Sequence, residues 1–342
     1  MNKLLLFSLL AFLAILLPVS GSAAETAPPA EADRSRVFVL TDISNEPDDE
    51  QSLVRLLVYA NEYDIEGIVA TTSTWLRDKT REDLIRRQLD AYGQVRDNLL
   101  RHAPGFPTKE ALLDVVATGQ PRYGMEAVGD GKTAYIMEGD TPSFLGLSRN
   151  GLGWHVSPAY GGWGGRCVLY QAYGESRPIW TNNHDSRDTV TADNGRTVCS
   201  DQATIWRWRE HFQHDFAARM DWCVAERYED ANHNPIAVLN GDATKRVLEI
   251  SAAPGETVRF SAAGSSDPDG DQIAYRWFIY REAGSFTGEL SLSHDEQESI
   301  HLVAPRVDRP VTIHVILQLE DNGSPSLFTN RRAMVTVSPG GK

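Results

Sequence analysis

The spacing of apolar residues changes period several times along the chain. Leu4 to Val19 is apolar except for Ser8 and Pro18. Residues 37–40 are consecutive apolar residues, too few for a helix and rich in β-branched and aromatic types, which predicts a strand buried on both faces. Asp48, Asp49 and Glu50 then open a helical pattern with Leu53, Leu56, Leu57 and Ala60 on one face. Pro47 is tolerated at that helix start because its missing N–H has no intrahelical partner. Residues 65–71 predict a second buried strand. Leu84, Ile85, Leu89, Tyr92, Val95 and Leu99 predict a long helix over 82–100, and a shorter one follows over 108–116. Residues 202–226 are again helical in period, through Ile205, Trp208, Phe212, Phe216 and Met220. Beyond 232–235 the period drops to two. Short strands at 247–250, 257–261, 274–280, 299–303, 311–319 and 333–337, with Gly, Pro and Asp between them, predict a β-sandwich.

The fold class is therefore α/β followed by an all-β immunoglobulin-like sandwich. The α/β part is short of strands, because a doubly wound sheet usually needs about five or six and only two are evident. Two parallel strands cannot bury their own faces and edges.

Composition is that of a globular protein, 41% hydrophobic and 23% charged, and 342 residues leave room for two domains. A net charge of −14 argues against nucleic-acid or anionic-membrane partners and for neutral ligands. A polar, positive start, the apolar run and Ser22-Ala23-Ala24 read as an export signal cleaved after Ala24. The run is short of the ~20 residues of a membrane span. The mature chain is thus expected to be secreted or periplasmic, with a disordered leader over 25–35. Three cysteines, Cys167, Cys199 and Cys223, allow at most one disulfide. If one forms, Cys167–Cys199 is the expected pair, with Cys223 a buried thiol.

The candidate chemistry gathers where the first strand hands over to its helix, RVFVLTDISNEPDD over 36–49. In open α/β sheets that edge is where ligands bind. Helix capping accounts for Asp48, Asp49 and Glu50, but not for Asp42 at the strand's end. Crowded carboxylates need a cation or a shared proton, and oxygen-only ligands suit calcium or magnesium. The two readings stand level on residue types alone.

The stretch TDISNEPDD resembles the aspartate cluster that opens nucleoside hydrolases. More closely, residues 36–77 resemble secreted, nucleoside-hydrolase-like proteins described as cellulose-binding. The likeness resumes at YIMEGDTPSFLGL and runs through WGGR, QATIWRWRE and DFAARMDW to a C-terminal immunoglobulin-like domain. The resemblance implies calcium, held by Asp42, Asp49 and, from the later segment, Asp215. It implies Asp48 as a base or sugar-diol contact and His214 as an acid for the leaving group. Asn45, Glu46, Thr72 and Ser73 become substrate contacts. Ser44 departs from the plain nucleoside-hydrolase motif, which has a further Asp there. The implied reaction is hydrolysis of an N-glycosyl bond by water. After residues 128–132 the family continues with more strand–helix units, whereas this chain passes at once to 134–138, so the domain is expected to be shortened near 132–135.

The expected domains are thus 36–235, nucleoside-hydrolase-like, and 236–342, the sandwich. Residue types leave further choices open. Thr72 and Ser73 line the crevice or cap a turn. Trp75 is more often a core anchor than a sugar platform. Gly-rich loops with Trp154, Tyr160, Trp163 and Tyr173 cover a pocket or plug their own core. His214-Asp215 is more often a solvent-facing helical pair. GSSDPDGDQIAYRWFIY resembles the turn and third strand of polycystic-kidney-disease-type domains, which puts Trp277 in the core. There Asp267, Asp269 and Asp271 fit a tight turn better than a calcium ring. The partner is a small glycoside or a plant polysaccharide. A carbohydrate-binding protein without chemistry and a decayed hydrolase remain the rival readings.

Overall fold

In the first half each strand is followed by a helix that packs back on the sheet. Strand β1 (Ser35–Thr41) leads to α1 (Pro47–Val58), β2 (Tyr63–Ala70) to α2 (Glu82–His102), and α3 (Lys109–Asp114) to β3 (Val116–Thr118). The three strands are parallel, in the order β1-β2-β3. The computed structural model describes residues 34–123, 144–172, 174–191 and 195–339. The export signal, most of the leader, Tyr173 and the expected shortening near 132–135 lie outside the described residues.

Two expectations need correction here. The third strand is hidden in the sequence because it is three residues long, and the helical pattern stops at Asp114 rather than 116. Strand β1 is not buried on both faces: its exposure alternates, and Phe38 and Leu40 are 63% and 66% exposed. The cause is position. Among the described residues β1 pairs only with β2, so a strand built of apolar residues is the edge of the sheet.

The middle of the chain holds two small hairpins, β4 (Val168–Leu169) with β5 (Trp180–Thr181) and β6 (Asp188–Thr191) with β7 (Thr197–Ser200). The helix expected over 202–226 is two helices, α4 (Ala203–Trp206) and α5 (Arg209–Trp222). The break at Arg207–Trp208 places the Trp208 ring inside, 1% exposed. The glycine loops fill their own core. Trp163 is buried, and Trp154 donates its indole N–H to the Gly165 carbonyl at 3.0 Å.

The sandwich follows its predicted strands closely: β8 (Leu248–Ala252), β9 (Thr257–Ser261), β10 (Ile273–Ile279), β11 (Ser299–Val303), β12 (Val311–Asp321) and β13 (Phe328–Val337). One sheet runs β10-β12-β13-β8 and the other pairs β11 with β9. Trp277 is buried between them, 6.1 Å from the Phe260 ring.

The two halves share a core. Tyr280 and Ile316 of the sandwich belong to the same buried cluster as the α/β helices. Strands β12 and β13 are therefore covered on both faces. The glycine loop lies with its backbone against them. At Gly151, with φ +82, an added Cβ would fall 1.7 Å from the Asn330 carbonyl oxygen, and at Gly161, with φ +71, 2.4 Å from the Tyr280 hydroxyl. Only glycine fits at either place. All three cysteines are free thiols. Cys223 is buried and its thiol donates to the Arg219 carbonyl, but Cys167 and Cys199 are not joined. Among the described residues no helix is long and apolar enough to cross a membrane.

Candidate functional site

The acidic site begins at a tight turn between β1 and α1. The Asn45 amide donates to the Asp42 carbonyl at 3.2 Å, and Ser44 in between has φ +79. An L-residue pays for that conformation, less so when it is Asn or Asp. Ser44→Gly is expected to stabilise the protein by up to about 1 kcal/mol, read as a higher urea midpoint. A lower midpoint would show that the serine hydroxyl matters more than the strain.

The turn delivers its carboxylates to one place. Asp49 is 5% exposed, and its Oδ2 accepts the amides of Asn45 and Glu46, both at 3.0 Å. That is half of a capping box. Asp42 is also buried, at 7%. Burial, then the charges of Asp42 and Asp48, hold the Asp49 carboxyl above the usual range against the pull of those two amides. Glu46, Asp48 and Asp49 can bring one carboxylate oxygen each within 4.8 Å of one another. An all-oxygen, multiply charged donor set of this kind fits calcium.

The remaining residues named from sequence go elsewhere. Asp215 does not join the cluster. Its Oδ2 accepts from Arg219 Nε at 2.8 Å, one turn along α5. Arg219 in turn reaches the Val58 carbonyl and Asn61 and lies over the Tyr59 ring at 4.1 Å. Those groups stand at the C-terminal end of α1, whereas Asp49 stands at its start. Ten residues of helix separate Asp49 from Tyr59, about 15 Å, and calcium ligands lie at about 2.3–2.6 Å from the ion. One ion cannot take both. His214 donates Nδ1–H to the Ser326 carbonyl at 2.8 Å, a contact between α5 and the sandwich.

Ser73 caps a turn, its hydroxyl oxygen accepting the Trp75 and Leu76 amides at 3.1 Å each. Thr72 reaches the carbonyls of Gln120 and Arg122 at 3.5 and 3.3 Å, beyond β3. Both therefore hold loops at the C-terminal edge of the sheet. Trp75 is not a core residue. It is 63% exposed on the loop after β2, and Leu76 is the one turned inward. Since Thr71 N donates to the Thr41 carbonyl at 2.8 Å, that loop and the Asp42 turn leave the sheet side by side. An aromatic face and an acidic cluster thus share one edge. On the other side of the cluster, Phe38, Leu40, Asp49 and Phe144 line a cavity of about 190 Å³ beside the free edge of β1.

Sequence reasoning missed the polar seam between the halves. Asp188 is fully buried and accepts from Arg166 at 2.9 Å and Arg207 at 3.1 Å, with Tyr280 donating its hydroxyl. Arg331 and Arg332 are fully buried in β13. The available signal was a pair of arginines inside an otherwise strand-like run, FTNRRAMVTV.

Comparison with known proteins agrees with this architecture. Residues 36–134 and 131–167 match the family described as cellulose-binding Sde182, nucleoside hydrolase-like domain. Residues 257–337 match the cellulose-binding protein Sde0182, C-terminal domain. A solved structure of a nucleoside hydrolase-related protein from Saccharophagus degradans, associated with carbohydrate metabolism, is 29% identical, with a TM-score of 0.75. The alignment covers 89% of this chain and 100% of that one. The PKD domain of the KIAA 1837 protein is 15% identical over 28% of this chain and 85% of that one, with a TM-score of 0.21. No curated protein matches the chain.

Proposed function

Because this chain belongs to the family of cellulose-binding, nucleoside-hydrolase-like proteins, we propose that it is an exported protein that binds a plant polysaccharide or a related glycoside at the edge of its parallel sheet, with little or no hydrolysis. The observation that carries this is the split of the implied catalytic set. Asp48 and Asp49 stand together with Glu46, and the charge of Asp42 is felt at Asp49, on the sheet edge from which the loop with exposed Trp75 also leaves, while Asp215 and His214 are committed to Arg219 and Ser326. A bound calcium would supply a seat for sugar hydroxyls and, in a complete site, an activated water. Asp42, Asp48, Asp49 and Glu46 are the residues that would hold it. Hydrolysis also needs an acid placed at the leaving group, and misplacement by about 1 Å costs ~100-fold. The residue that the resemblance names for that task, His214, is engaged with the Ser326 carbonyl instead. The break in the family match at 131–134 supports the reading that strand–helix units are missing there.

Nucleoside hydrolysis is the second reading, favoured by the raised Asp49 carboxyl, since carboxyls perturbed by burial and like charge gather at functional sites. Two assays separate them. Pull-down of the mature chain on insoluble cellulose is expected to show binding that Trp75→Ala weakens about threefold to tenfold and Asp49→Asn weakens as well. Release of base from a nucleoside panel with calcium present is expected to be absent or slight. Robust turnover that Asp49→Asn abolishes would overturn the binding reading and establish an N-glycosyl hydrolase.

A further inference from the structure

Where α1 ends against the sandwich, the seam between the halves holds a cavity of about 40 Å³. It is lined from the end of α1 by Tyr59, from the start of the glycine loop by Arg149, Asn150 and Trp163, and from α5 by Asp215 and Arg219. Four of these side chains carry a buried polar atom with no hydrogen-bond partner in the protein: the Tyr59 hydroxyl, Arg149 Nε, Asn150 Nδ2 and Trp163 Nε1. Tyr59, Asn150 and Trp163 are more than nine-tenths buried.

All four groups donate. The three nitrogens carry protons and accept nothing. Burial, then the Asp215 charge, holds the Tyr59 hydroxyl well above its usual range, so it keeps its proton. Oxygens beside them are engaged. Asn150 Oδ1 accepts the Leu152 amide at 3.1 Å, and the Ser148 hydroxyl meets that of Tyr63 at 2.6 Å. Asp215 and Glu62 both face Arg219, at 2.8 and 3.5 Å, and Arg149 stands 4.0 Å from Glu62. Two arginines thus match two carboxylates, and the exposed Lys245 adds a positive charge to the lining.

A buried donor without an acceptor is costly, and four of them on one void call for an occupant that accepts. A void of about 10–15 Å³ already admits a water, so there is room for one. Water accepts two protons but must place its own two on acceptors, and the carboxylates at hand are already matched. A cation is repelled by N–H groups. A small anion accepts from all four donors and needs no acceptor in return, and convergent N–H groups are a usual seat for one.

We propose that a chloride ion lies in this cavity and accepts from Trp163 Nε1, Asn150 Nδ2, Arg149 Nε and the Tyr59 hydroxyl. It ties the end of α1 and the glycine loop to the sandwich, whose Phe328 and Thr329 complete the wall. The site takes a halide of similar size, such as bromide, and excludes larger anions. It is separate from the acidic turn at the start of α1 and does not rest on the sugar-binding reading.

The test uses the mature two-domain chain, with sodium chloride or bromide replacing sodium methanesulfonate, whose anion is too large for the void, at constant ionic strength. The urea midpoint is expected to rise with chloride or bromide, because an ion bound only by the folded state stabilises it. Crystals grown in bromide are expected to show an anomalous peak in the cavity. Asn150→Asp keeps an oxygen to accept the Leu152 amide but puts a carboxylate oxygen where Nδ2 donated, so it should lose the halide dependence whatever its own midpoint. Trp163→Phe removes one donor and should weaken halide affinity about tenfold, read as a shift of the midpoint curve to higher concentration. A midpoint that is the same in all three salts would overturn the proposal. So would a halide dependence unchanged in both variants, or a cavity that holds only water in bromide-grown crystals.

Discussion

Arg332→Leu is expected to destabilise the protein by about 3–5 kcal/mol. The side chain is fully buried in β13, and its hydrogen bonds cross to other elements. Nε donates to the Leu152 carbonyl at 2.6 Å, and Nη2 to the carbonyls of Tyr160 at 2.9 Å and Gly161 at 3.0 Å. Nη1 donates to His314 Nδ1 at 2.9 Å. The cation also lies 5.5 Å from the Tyr160 and Tyr280 ring centres. Burial pulls the guanidinium down to about 10, so it stays charged at neutral pH. Leucine would fill much of the space but leave three carbonyls and a ring nitrogen without donors. Those carbonyls belong to a glycine loop pressed against the sheet, where water cannot replace the arginine. Lysine keeps the charge yet has no planar fork to reach three directions, so Arg332→Lys should lose more than half as much. Urea unfolding measures both. Midpoints equal to that of the unsubstituted chain would show that the loop is held by its apolar contacts instead.

The seam explains what could and could not be read from the residues. Strands of the sandwich alternate in the ordinary way, and their predicted limits lie within about three residues of the observed ones except for β13, whose first five residues, Phe328 to Arg332, were omitted. Those five are buried because another half of the molecule covers the sheet's outer face, which no local period records. The same reason hides His211, His314 and Asp188, polar residues whose burial comes from long-range packing. At the other end, β1 misled for the opposite cause. Its four apolar residues imply neighbours on both sides, and the neighbour on one side is missing among the described residues. The acidic turn was legible because its parts are adjacent in sequence. Asp215 and His214 were assigned by resemblance alone, and the local chain gives each a nearer partner.

Acid should weaken the same seam. Burial pushes the His211 and His314 imidazoles down to about 3. His211 is stacked on Phe328 with 4.2 Å between centres, and its Nδ1 accepts from Asn330 Nδ2 at 3.2 Å. Arg276 and His214 also oppose a charge there, and Gln318 is the group that favours it. His314 faces Arg332, whose guanidinium already occupies its Nδ1. In the unfolded chain both rings titrate near 6.5. Between about 6.5 and 3 the unfolded state therefore takes up protons that the folded state refuses, and stability falls as pH falls. Above about pH 7 the two histidines contribute no penalty. At about 1.4 kcal/mol per unit and ring, going from pH 7 to 5 should cost about 4 kcal/mol. His102 and His233, also lowered by burial, push the same way. Asp49, Asp267 and Asp321 act in the opposite sense. Their raised carboxyls let the folded state hold protons that the unfolded one releases, which offsets part of the loss nearer pH 4. The range from 5 to 7 is accordingly the informative one. Asparagine at either position presents an acceptor where Nδ1 stood, so His211→Asn and His314→Asn should each remove a similar share, somewhat under half, of the slope in urea stability against pH, the remainder belonging to His102 and His233. A double variant whose slope matches that of the unsubstituted chain would locate the acid sensitivity outside this seam.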